Sequence, residues 1–210
     1  MEGSWEASLG SKSASKSFPG FDKLFLLDES GNRRAFRGKL GVETTEESFA
    51  LTRAEMHPSH PIPVKWAMGS AKPDAVVHTT YATPIIFADS VVQLLRSHEF
   101  TGWSLYEVAV HDKQGKRVPG YQGFAVTGRC GDIDWARGIE VSRIRPAGIF
   151  PVWKGLFFDP DSWDGSDFFM PAQTVGYVLV VEEVKKAFER AKIMNVSFTP
   201  LDQFERSWKI

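Results

Sequence analysis

Two stretches of the chain repeat one pattern of apolar and polar positions. IIFADSVVQLLRSHEFTGWSLYEVAV, from Ile85, aligns without a gap with VLVVEEVKKAFERAKIMNVSFTPLDQ, from Val178. Each opens on a short apolar run, Ile85-Ile86-Phe87 or Val178-Leu179-Val180, of strand length. Acids follow, Asp89 or the pair Glu182-Glu183, where the positive end of a helix macrodipole favours them. Val91, Leu94, Leu95 and His98 then align with Val184, Ala187, Phe188 and Ala191. That is the i, i+3, i+4, i+7 spacing of one stripe on an amphipathic helix. Gly102 and Asn195, which tolerate left-handed backbone, close the helices ahead of the alternating runs from Trp103 and Val196. The pattern predicts an α+β fold with a mixed or antiparallel sheet and two amphipathic helices from a duplicated strand–helix–strand unit, over 85–110 and 178–203. Two copies are too few for a solenoid.

Around these units the patterning is weaker. Residues 1–20 read as a flexible lead-in ending at Pro19-Gly20, and 21–210 as a single domain. Phe21 to Leu27 reads as a strand and Asp28 to Asn32 as a turn. Arg33 to Leu40 reads as a partner strand whose Arg33, Arg34, Arg37 and Lys39 form a solvated basic face. Pro58, Pro61, Pro63 and Pro73 predict a loop over residues 52–75. Val108 to Asp112 and the run from Arg117 predict a hairpin through residues 113–116. Gly120 to Gly128 reads as a strand punctuated by glycine.

Composition narrows the partners. A net charge of −1 with 42% hydrophobic residues argues against a disordered chain and lacks the broad positive field of a protein made for nucleic acid, although a local basic patch stays open. Cys130 is the only cysteine, so neither an internal disulfide nor a cysteine-built zinc site can form, which suits a reducing compartment. Met1 to Phe18 lacks an apolar stretch of signal-peptide length, and runs such as Tyr177 to Val181 are too short to span a bilayer. The expectation is a cytoplasmic protein with no membrane contact. Seven Trp and sixteen Phe fit a core of large side chains better than an aromatic binding face.

The nearest thing to a site is the segment from Asp159 to Asp167. It fails as an EF-hand begun at Asp159: Trp163 and Asp164 hold the fifth and sixth positions, and Met170 stands where the bidentate Glu belongs. An Asx-rich turn is the favoured reading. A cation on Asp159, Asp161 and Asp164 is the weaker alternative, and a carboxylate pair for glycoside hydrolysis has no supporting pattern. Cys130 beside Arg129 is a weak candidate for an activated thiol. His57 and His60 read as surface-loop residues, His78 and His111 stand isolated, and His98 reads as half-buried on its helix. No nucleophile elbow, P-loop or dinucleotide loop is present, so no catalytic residue and no cofactor is assigned.

The segments SVVQLLRSHEFTGW, SLYEVAV, YQGFAVTGRCGDID and GLFFDPDSWDGSDFFMP resemble a bacterial family first described as a domain of unknown function and later grouped with the immunity proteins of polymorphic toxin systems. The resemblance runs from about Trp66 to the C-terminus and carries no catalytic signature. It implies a non-enzymatic cytoplasmic protein that binds and neutralises a cognate toxin. The Trp163, Asp164, Asp167, Phe168 and Phe169 loop is then either a partner-binding element or a rigid structural corner, with the corner favoured. The competing class is a small hydrolase using the aspartate-rich loop, with or without a metal.

Overall fold

The structure, a computed structural model, describes residues 16–80, 84–146, 148–174 and 176–206. Most of the predicted lead-in, residues 1–15, lies outside them. From Lys16 onward the lead-in is attached to the body: Phe18 packs edge-on against Phe21, Phe158 and Trp163.

In chain order the elements are β1 (Leu24–Asp28), β2 (Arg37–Leu40), α1 (Thr45–Thr52), β3 (Ile62–Met68), β4 (Val76–Thr79), β5 (Ile85–Ala88), α2 (Asp89–Ser97), β6 (Trp103–His111), β7 (Arg117–Val118), β8 (Tyr121–Val126) and β9 (Gly128–Cys130). There follow β10 (Ile139–Arg145), β11 (Gly148–Lys154), β12 (Phe168–Pro171), β13 (Val178–Val181), α3 (Glu182–Arg190), β14 (Ser197–Pro200) and β15 (Glu205–Arg206). The fold is α+β. Strands β3, β2, β4, β5, β8 and β6 hydrogen-bond in that order, and β3 pairs back onto β6, closing a six-stranded barrel. A second sheet runs β14-β1-β13-β12-β9, and a third is the ribbon β10-β11-β15. The first two sheets mix parallel and antiparallel pairs.

Alternation along the barrel strands divides the apolar residues between two cores. Val77, Ile86, Tyr106, Val108 and Ala125 point inward with Phe36, Val64 and Leu51 of α1. Their neighbours Val76, Ile85, Phe87, Phe124 and Val126 point outward, into a larger core shared with α2, α3 and the second sheet. Phe87 contacts both Phe124 and Phe188 there, so one side chain joins the barrel to α3. The aromatic residues are core material: Phe36, Phe87, Phe124, Phe158, Phe168, Phe169 and Phe188 are fully buried.

The two aligned segments share geometry as well as pattern. In both, the helix starts on the residue after the strand, β5 into α2 and β13 into α3. Positive φ falls at aligned positions, Glu99 with Lys192 and Gly102 with Asn195. In both, a third strand lies antiparallel between the two strands of the unit. For the first unit it is β8, where Phe124 faces Ile85 and Leu105. For the second it is β1, where Leu27 faces Val178 and Phe198. Ile85 aligns with Val178 and Leu105 with Phe198, so the register is the same in both. The middle strand comes from later in the chain in one unit and from its beginning in the other.

Several expectations need correction. β2 is not the partner of β1; both edges of β1 are occupied by β13 and β14, and β2 pairs with β3 and β4. The proline-marked loop at 52–75 contains β3, which tolerates Pro63 because it sits at the strand's second residue and accepts a bond there, from Gly41 N–H at 2.7 Å. Helix α1 went unforeseen, although Thr44 and Glu47 form a reciprocal capping box. His98 is exposed at the end of α2, stacked on Phe100. Of the basic cluster, Arg33, Arg34 and Lys39 are solvated, but Arg37 is half-buried and paired with Glu29.

Candidate functional site

The aspartate-rich segment is built from backbone outward. Asp159 caps a short 3-10 turn over Pro160–Ser162 by accepting from Asp161 N–H. Asp164 accepts from Ser166 N–H through one oxygen and from Arg129 N–H through the other, tying the turn to β9. Asp167 is buried, and one of its oxygens receives Lys16 Nζ at 2.6 Å. The other receives the Thr101 amide at 2.8 Å and the Thr101 hydroxyl at 2.9 Å. Phe168 and Phe169 are fully buried, and Trp163 packs half-buried on Phe18 and Phe169 while its indole N–H donates to Ser166 O. The segment is a corner that holds the exit of α2 against β12. Phe168 and Phe169 lie in the core, and Asp164 and Asp167 serve backbone and ammonium donors.

Asp159, Asp161 and Asp164 are adjacent in sequence, but no group of three or more His, Cys, Asp or Glu side chains among the described residues is placed to hold an ion.

Cys130 sits in β9, buried, and desolvation pushes its thiol up to about 12. The carboxylates of Asp164 and Asp132 push the same way, and the opposing effect of Arg129 is smaller. That thiol is protonated at neutral pH, the reverse of an activated nucleophile. Arg129 instead donates to the carbonyls of Val126, Gly128 and Arg53, joining the barrel to the end of α1.

Sequence reasoning missed two features. His78 in β4 is buried, and its Nε2 lies 2.9 Å from the Asn195 carbonyl. Burial lowers its pKa below the ordinary histidine value; the bond to Asn195 and the carboxylates of Glu29 and Asp28 oppose that shift, and Arg37 assists it. Asn195 donates through its amide to Val76 O, so the left-handed turn of one unit is bolted to the barrel of the other.

The second feature is the β10–β11 hairpin. Seven consecutive pairs join its strands without a bulge. β15 covers it only at Trp153 and Lys154, so the ribbon beyond is two-stranded. Ile144 is 86% exposed, Ile149 69%, Ile139 63% and Phe150 40%. Among the described residues these are four of the six large hydrophobic side chains left in solvent, the others being Met68 and Met194. The alternation Ile139-x-Val141 and the Pro146-Ala-Gly148 turn signal were there to be read.

No protein-family model matches the chain, and no curated protein matches it.

Proposed function

We propose that the chain is a non-enzymatic binding protein, an immunity protein that neutralises a cognate bacterial toxin in the cytoplasm. The β10–β11 hairpin carries this reading. Three isoleucines and a phenylalanine lie exposed on one ribbon, Ile144 with Ile149 on one face and Ile139 with Phe150 on the other, a local concentration of apolar surface of the kind that marks a protein contact. Isolated exposed apolar residues need no such explanation; a cluster on a ribbon with little packing of its own does. The carboxylates of Asp159, Asp164 and Asp167 already accept structural hydrogen bonds, which gives the hydrolase alternative no support. Among the described residues no helix is long and apolar enough to cross a membrane. The shared register and turn geometry of the two strand–helix–strand units favour their origin in an internal duplication, and that origin is part of the proposal.

The test is affinity capture of the tagged chain from cells expressing its genomic neighbours, followed by co-expression of any stoichiometric partner in a naive host. A partner whose toxicity the chain relieves supports the reading. If no captured protein is toxic, the immunity reading fails. Ile144→Glu with Ile149→Glu is expected to weaken capture by about a hundredfold, since each exposed apolar anchor in an interface contributes on the order of 1–2 kcal/mol.

A further inference from the structure

The hairpin has two outer edges, and they differ. That of β11 is covered by β15 at Trp153 and Lys154 and is interrupted by Pro151, which has no N–H to offer an added strand. That of β10 pairs with nothing among the described residues and contains no proline from Ile139 to Arg145. Its register with β11 runs unbroken, so no bulge turns the edge away. Natural sheets usually blunt such an edge, and this one is left open beside the exposed Ile139 and Ile144.

We propose that the open edge of β10 is a strand-addition site for an extended segment of a different protein. The chemistry of the edge selects the occupant: a row of outward N–H and C=O groups is matched only by another extended backbone. Side chains then argue against a second copy of this chain. A two-fold antiparallel pairing of β10 with itself sets opposite one another only residues whose numbers have equal parity, because side chains alternate between faces. Glu140 therefore never meets Arg143 of the other copy. With Ser142 on the axis, Glu140 faces Ile144 and Arg143 faces Val141. Arg143 already donates to the Glu205 carboxylate through Nε and Nη2, so a different strand with a base opposite Glu140 and apolar residues opposite Ile139 and Ile144 satisfies every position. The proposal rests on the binding reading above only for the partner's biological identity.

The test pans a random phage-displayed peptide library against the full-length chain and measures the recovered peptides by hydrogen exchange and affinity. Recovered peptides that protect β10 amides and place a base opposite Glu140 and apolar residues opposite Ile139 and Ile144 support the proposal. Ser142 lies opposite Pro151, whose nitrogen suits an outward-facing position, so Ser142→Pro removes an outward donor from the open edge. It is expected to weaken binding about tenfold, the worth of one lost hydrogen bond and its steric block. Should that variant not fold, Ile144→Glu, at a largely exposed side chain, is expected to weaken binding by a similar factor. The proposal is overturned if no peptide is recovered, if protection falls elsewhere, or if both folded variants bind as the parent does. It is also overturned if the chain dimerises in solution and Ser142→Pro abolishes the dimer, since the occupant is then a second copy. A toxin found by capture that protects a different surface sinks the edge alone, whereas peptides on β10 with no toxin captured sink the immunity reading alone.

Discussion

At Asp167 one buried carboxylate accepts three bonds, from Lys16 and twice from Thr101, so its role is measurable as stability. Asp167→Ala leaves the Thr101 amide without its partner and is expected to cost about 2–4 kcal/mol by urea denaturation. Asp164→Ala, at an exposed turn, is expected to cost about 1 kcal/mol. Equal and negligible costs for both would remove the corner from the account of the fold. His78 gives a pH dependence whose sign is fixed by its lowered pKa. The fold holds the ring neutral, and the unfolded chain takes up a proton below about pH 6.5. Stability contributed by the neutral ring is full above that value, is lost as pH falls toward the folded pKa, and then levels off. His78→Gln is expected to flatten the stability profile below about pH 6.5 relative to the parent. An unchanged slope would mean that other groups set it.

At the scale of elements, the exit of each helix passes through two left-handed residues, the second being Gly102 after α2 and Asn195 after α3. Gly102 has φ +83°, and a Cβ there would lie 2.0 Å from Phe168 O, against the backbone of the corner. Gly115 has a similar φ of +77° with nothing within 4 Å. Gly115→Ala therefore isolates the conformational cost, about 1–2 kcal/mol, and Gly102→Ala is expected to exceed it severalfold or to prevent folding, as judged by thermal melting. The strand–helix–strand units were legible because their periodicity is local: Val91 and Leu95 bury one stripe of α2, and Val184 and Phe188 one of α3. Their pairing was not. Which strand enters between β13 and β14 is decided by contacts across the whole chain, and Leu24–Asp28 shows only that it is apolar. The buried residues Phe168 and Phe169 were legible as a dense aromatic run, but whether the run faces solvent or core is settled by the Asp167–Thr101 bonds behind it. Strand β3 was hidden by prolines that sit at and before its start, where they cost the ladder least.

For the whole molecule, two cores share the barrel strands, and the second sheet joins the beginning of the chain to its end. Deleting residues 195–210 removes β14 and bares an edge of β1, along with the bonds from Asn195 to Val76 and His78. The shortened chain is expected to lose cooperative unfolding and near-ultraviolet dichroism and to aggregate. A sharp melting transition in it would show that the barrel folds independently of the second sheet.

The placing of β1 also bears on how the chain is made. Leu24 to Leu27 leave the ribosome before either strand that flanks them, β13 at Val178–Val181 and β14 at Ser197–Pro200, has been made. At ordinary rates of translation that separation amounts to a wait of about ten seconds or more. Throughout it, a bare LFLL strand is available to chaperones and to neighbouring nascent chains alike, whereas the barrel strands are all made once Val126 has been added. Completion of the second sheet therefore waits on synthesis of β14, and a chain stalled before Ser197 leaves at least one edge of β1 bare.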